Sequence, residues 1–169
     1  KKLKKNKRAL KDYHIVIKKK PDHLFARFER GMVLNKLQYY QKAVDDISEY
    51  LKYYDKNEKA YYIAGNIYND MEEYNNALDV LNKLLDLNKG IVDYYYARIE
   101  AYEGLENYAR MLSDCNYALD LDPRSGKIFY KRGIAKLNMK DKDGACKDWE
   151  NAVRFDYLEA NEYVHNICQ

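Results

Sequence analysis

Residues 58–91, EKAYYIAGNIYNDMEEYNNALDVLNKLLDLNKGI, carry two apolar stripes of helical period on either side of a short polar bend. Tyr61, Ala64, Gly65, Ile67 and Tyr68 recur at intervals of three and four, which places them along one face of a helix. Ala77, Leu78, Leu81, Leu84 and Leu85 do the same on a second helix. Met71-Glu72-Glu73 lies between them and leaves room only for a tight reversal, so the stretch reads as a helical hairpin.

That hairpin returns every 34 residues. Gly31, Gly65 and Gly133 share one phase, with Ile99 in the gap. Twelve residues further on stand Ala43, Ala77 and Ala145, with Met111 in the gap and Ala9 extending the column backwards. Tyr40, Tyr74 and Tyr108 form another column, and Leu51, Leu85 and Leu119 continue into Val153. Cap and breaker residues in Asp55-Lys56-Asn57, Asn88-Lys89-Gly90 and Asp122-Pro123-Arg124 separate the units, and Pro21 stands in the phase of Pro123. Small residues at the Gly and Ala columns allow paired helices to approach closely, and the bulk of Ile99 and Met111 predicts a slightly wider third hairpin.

The phase predicts full units at 24–57, 58–91, 92–125 and 126–159 within one continuous domain. Residues 1–23 are expected to form the second helix of a truncated repeat. Residues 160–169 suit a C-terminal capping helix, which repeat arrays need to cover their last apolar face. Helices are expected near 24–37, 40–53, 58–70, 74–87, 92–104, 108–120, 126–138 and 142–154, with a lone helix near 3–19 and the cap near 159–167.

Tyr61, Ala64-Gly65, Tyr68, Ala77 and Leu81 in one unit, and Phe129, Arg132-Gly133, Ala145 and Trp149 in another, resemble the tetratricopeptide repeat (TPR). The third unit departs at Ile99 and Met111 but keeps Tyr95, Tyr102, Ala118 and Pro123. The resemblance covers almost the whole chain and implies an all-α, right-handed α-solenoid (superhelix) of stacked helix-turn-helix repeats. It also implies a protein-binding scaffold or adaptor with no reaction of its own.

Composition agrees. Seven glycines and two prolines in 169 residues are too few for the many tight turns of an all-β chain, and 47% apolar residues suffice for a core. No stretch nears the roughly 20 uncharged apolar residues of a membrane span. Residues 1–20 carry ten Lys/Arg against Asp12, a net of +9, while residues 21–169 carry −6. The body therefore offers no broad positive field for nucleic acid, and the basic helix is expected to be a solvated face. Leu3, Leu10, Tyr13 and Val16 lack a partner helix in residues 1–23, which makes self-association through the truncated helix one expectation. What precedes Lys1 would discriminate an adaptor from the TPR region of a longer chain with an upstream catalytic domain. The cytoplasm is the first expectation for compartment, and export the expectation should a signal peptide precede Lys1.

Catalytic motifs are missing from the sequence: His14, His23 and His165 stand far apart, and no phosphate loop or nucleophile elbow occurs. No cofactor is expected. Asp45-Asp46 and Glu72-Glu73 read as solvated acids, and Trp149, in the column of Ile47, Leu81 and Cys115, reads as core. His165, Cys168 and Cys146 lack a fourth partner for a metal, so no metal is expected. A disulfide is the stronger reading for Cys146 and Cys168, since each lies 11 residues from the turn near Asp156-Tyr157-Leu158 and an antiparallel hairpin would set them level.

In stacked repeats the first helices line a concave face, where binding is expected. Phe28, Tyr62, Tyr96 and Tyr130 fall there one period apart, with Asn66, Glu100, Lys127 and Lys131 beside them. This aromatic ladder with mixed charge suits a peptide segment of a partner protein, although tyrosines at this column also pack between helices. One TPR subclass grips a peptide carboxylate with lysine, asparagine and arginine. Asn66, Lys127 and Lys131 match its positions, but Tyr62 and Ala97 replace two members and Lys131 stands for arginine. The implied alternative is a co-chaperone with a degenerate carboxylate clamp.

Overall fold

The computed structural model describes residues 2–168, and among them the chain is helical without a strand. It divides into two compact units that meet between Leu87 and Asn88. The first holds α1 (Lys2–Lys19), α2 (Leu24–Lys36), α3 (Tyr40–Leu51), α4 (Glu58–Asp70) and α5 (Tyr74–Leu87). The second holds α6 (Val92–Gly104), α7 (Tyr108–Leu121), α8 (Gly126–Asn138), α9 (Lys142–Arg154), a 3₁₀ turn (Leu158–Ala160) and α10 (Asn161–Ile167). Lys1 of the expected 1–23 segment and Gln169 of the expected cap lie outside the described residues. The cap differs from expectation in starting with the 3₁₀ turn, so its α-helical part is only 161–167.

Local chemistry sets the helix ends. Side chains of His23, Asn57, Asn107 and Asp141 accept the otherwise unpaired N–H of Ala26, Ala60, Arg110 and Gly144. Each hairpin reverses through one residue in the left-handed region: Gln38, Glu72, Glu106 and Lys140, with φ of 62°, 58°, 54° and 68°. The N–H after each returns to a carbonyl five residues back, as in Tyr39 to Leu34 and Asp141 to Lys136, which satisfies the open end of the first helix.

Within a hairpin the decisive contact spans sixteen residues. A Cβ built on Gly31 would lie 2.8 Å from Ile47 Cγ1, on Gly65 2.5 Å from Leu81 Cδ2, and on Gly133 2.4 Å from Trp149 Nε1. One helix thus offers no side chain where the other places its largest, and Ile47, Leu81 and Trp149 are wholly buried. In the third hairpin Ile99 faces the same offset as Cys115, the smallest member of that column, and both are fully buried.

One residue before the column of Ile47, Cys115 and Trp149 the sequence reading needs correction. Asp46, read above as solvated, is 3% exposed, as are its equivalents Asp114 (4%) and Asp148 (2%). Each receives a two-pronged guanidinium from the partner helix: Arg30 at 2.6 and 2.7 Å, Arg98 at 2.7 and 2.7 Å, Arg132 at 2.9 and 2.7 Å. A buried carboxylate needs such pairing because desolvating it alone would be costly. The hairpin α4–α5 places Ala64 and Val80 at these two positions instead, packed into the core of the first unit.

Along α1 the packing stripe is also shifted from the expected one. Ile17 is buried and Leu10 packs on the core, whereas Leu3 and Val16 are exposed together with Ile15. Ile17 follows Leu10 by seven residues and so lies on the same face, while Val16 is turned off it.

Two outcomes follow for stability, both measured by denaturant unfolding. Gly133→Ala should cost about 1–3 kcal/mol, because the rigid Trp149 ring cannot yield to a new Cβ, whereas Gly90→Ala, with only Asn88 Oδ1 at 3.4 Å, should stay within about 0.5 kcal/mol. Arg98→Ala should cost about 3–5 kcal/mol by stranding Asp114, and the double change Arg98→Ala with Asp114→Val, which copies Ala64 and Val80, should recover most of that loss.

Candidate functional site

The predicted ladder does not survive intact. Phe28 is buried at 6% exposure, which removes it from the set of accessible binding residues. Its ring stacks on Tyr50 with centroids 4.8 Å apart, and Lys59 Nζ lies 5.8 Å from its centroid. Tyr50 is the cause: the later units have Leu84, Ala118 and Ala152 at that position, none of which can stack a ring. Elsewhere on the first unit's face, Tyr62 and Asn66 are half-buried on α4, and the Asn66 amide donates to the Tyr62 carbonyl at 3.0 Å.

The second unit gathers the other predicted residues into one cluster on α6 and α8. The Tyr96 hydroxyl donates to the Glu100 carboxylate one turn along α6. From α8, Lys127 sets its ammonium 3.1 Å from the Tyr96 ring centroid, and Lys131 Nζ lies 5.8 Å from the same centroid. A cation over a ring face is attracted by the ring quadrupole, more strongly where water is excluded. Lys131 also forms an ion pair with Glu103, and its side chain is only 14% exposed. Tyr130 packs against Tyr157 at 5.1 Å and edge-on against Tyr163 at 5.3 Å, bonding the Tyr163 hydroxyl. Its carbonyl accepts the Trp149 indole N–H at 3.2 Å.

Glu100 and Lys131 are half-buried, whereas Lys127 is exposed. Burial raises Glu100 above the usual carboxylate range, against the opposing pull of Lys131, the Tyr96 hydrogen bond and Lys127. Burial likewise lowers Lys127, with Glu100 opposing and Lys131 reinforcing the shift, and raises the Tyr96 hydroxyl. A carboxyl raised on folding contributes most to stability below its unfolded pKa, and that contribution falls as pH rises toward its folded value.

Sequence reasoning missed Glu103, Tyr157 and Tyr163, which complete the cluster. Tyr157 follows the end of α9, and Tyr163 lies beyond the last full unit, where the 34-residue phase no longer assigns faces. Among the described residues no three His, Cys, Asp or Glu side chains converge as a metal site. Cys146 and Cys168, weighed above as ligands or as a pair, are bonded to each other, with their Cα atoms 5.6 Å apart. No described helix is long and apolar enough to cross a membrane. A larger hollow of about 610 Å³, lined by Leu10, His14, Arg27, Arg30, Lys42 and Asp46, lies over the Arg30–Asp46 fork and includes none of the predicted binding residues.

No known family profile and no curated protein sequence matches the chain. Solved structures do. MamA superposes with a TM-score of 0.82 at 19% identity, covering 90% of this chain and 89% of that one. MamA from Desulfovibrio magneticus RS-1 gives 0.83 at 22% identity over 89% and 85%. YrrB, described as a TPR protein with an unusual peptide-binding site, gives 0.86 at 19% identity over 96% and 84%. At these identities the likeness is one of fold, and it agrees with the 34-residue hairpins: the chain is an all-α protein of the tetratricopeptide-repeat fold.

Proposed function

We propose that the chain is a protein-interaction scaffold or adaptor that binds peptide segments of partner proteins on the face of its first helices, with no reaction of its own. The cluster of Tyr96, Glu100, Lys127, Lys131 and Tyr130 carries this reading. Tyr96, Glu100 and Lys131 are half-buried, Lys127 is exposed, and Tyr130 also packs on the α9 core. Tyrosine there offers a rigid apolar surface with a polar tip, and both signs of charge are available to orient a peptide backbone and its side chains. The peptide-binding site described for YrrB, a protein of the same fold, supports the same class of ligand. Within the first unit, Tyr62 and Asn66 on α4 offer the same kinds of contact. The sequence match to a carboxylate clamp has less support, because Lys131 is paired with Glu103 and Asn66 with a carbonyl of its own helix.

The test is selection of binding peptides from a random display library, followed by calorimetry on the best binder. Tyr96→Ala should weaken binding about thirtyfold, the effect of removing an interface anchor worth about 2 kcal/mol. Lys127→Ala should mainly reduce the association rate and its salt dependence. Asp79→Ala with Lys83→Ala, on an exposed face of α5, should leave affinity unchanged. Normal binding by a folded Tyr96→Ala protein, with loss in the α5 double variant, would move the site to another face.

A further inference from the structure

The C-terminal cap is weakly held by everything except one covalent bond. Helix α10 has seven residues, none of them fully buried, and is too short to persist in isolation. Tyr163, Val164 and Ile167 rest on the Ala145–Trp149–Ala152 core. Tyr163 covers the Trp149 ring at 4.8 Å and engages Tyr130. The bond from Cys146, in the second turn of α9, to Cys168, at the end of α10, closes this arrangement across 22 residues.

We propose that Cys146–Cys168 is a redox-operated latch, opened by a dithiol reductant, that decides whether α10 covers Trp149 and Tyr130. A surface hollow of about 490 Å³, lined by both cysteines with Lys142, Asp143, Lys147 and Glu150, gives a reductant access to the sulfurs. A reductant thiolate attacks Cys168 Sγ, forming a mixed disulfide as the Cys146–Cys168 bond breaks. Cys146 leaves as a thiolate. The reductant's second thiol then displaces Cys168. The reductant is oxidised to its disulfide by two electrons, and the protein gains two electrons and two protons as two thiols. Without the bond, α10 depends on a small apolar contact and opens locally while the hairpins stay folded. Trp149 and Tyr130 then become accessible beside the Tyr96 cluster. The latch holds whether or not that cluster binds a peptide.

Trp149 is the chain's single tryptophan, so its fluorescence reports the cap directly. The probe is dithiothreitol under native conditions, with thiol alkylation, emission spectra and amide exchange read together. Two thiols should become alkylated, because Cys115 is fully buried. Trp149 emission should shift to longer wavelength, and amides of 161–167 should exchange at least about tenfold faster while α8 and α9 keep their protection. Reoxidation should reverse all of this. Cys168→Ser should show the open-cap signals without reductant and gain nothing further from it. Unchanged emission and exchange after full alkylation would overturn the latch, since packing alone would then hold α10. A bond reducible only in denaturant, or loss of protection throughout α8 and α9 on reduction, would overturn it equally.

Discussion

The fold depends on two helices meeting where one of them has no side chain. Gly31, Gly65 and Gly133 let the backbone of a first helix press onto Ile47, Leu81 and Trp149 of the second, at separations that an added Cβ would violate. The sixteen-residue offset is constant, so the residues that must fit together are set by the pair. Gly133 with Trp149 and Ile99 with Cys115 are opposite solutions to one packing condition, because dense interiors respond to summed volume. The Ala column, with Ala43 and Ala145 fully buried, narrows the hairpins further.

The same offset, displaced by one residue, carries the Arg–Asp forks. Burying Asp46, Asp114 and Asp148 is tolerable only because each carboxylate receives two guanidinium N–H groups in register. A buried pair adds little net stability over an apolar replacement but penalises any slip that separates its members. Close approach at the glycine and forking one residue earlier thus define a single mutual register for the helices of a hairpin.

Periodicity made the hairpins legible, since seven or eight columns repeat together and each needs the same neighbour. Helix starts at 24, 40, 58, 74, 92, 108, 126 and 142 fall where the phase put them. The turns were legible only through that phase, because Gln38, Glu72, Glu106 and Lys140 adopt a left-handed backbone without the glycine that would announce it. Phe28 was misread because equivalence along one helix says nothing of what the other brings, here the ring of Tyr50. Asp46 was misread because an amphipathic template counts every aspartate as solvent-facing. The Arg30, Arg98, Arg132 and Asp46, Asp114, Asp148 columns, with Ala64 and Val80 changing together, are the signal that would have corrected it.

Ala64 and Val80 also give the hairpins unequal responses to temperature. Cooling weakens the hydrophobic contribution on which α4–α5 leans most heavily, while warming lowers the desolvation penalty carried by the hairpins that bury a charged fork. Repeats that look interchangeable in outline therefore do not rank the same way in the cold and in the heat. Relative to the forked hairpins, α4–α5 loses stabilisation on cooling, and the forked hairpins gain on it as the temperature rises.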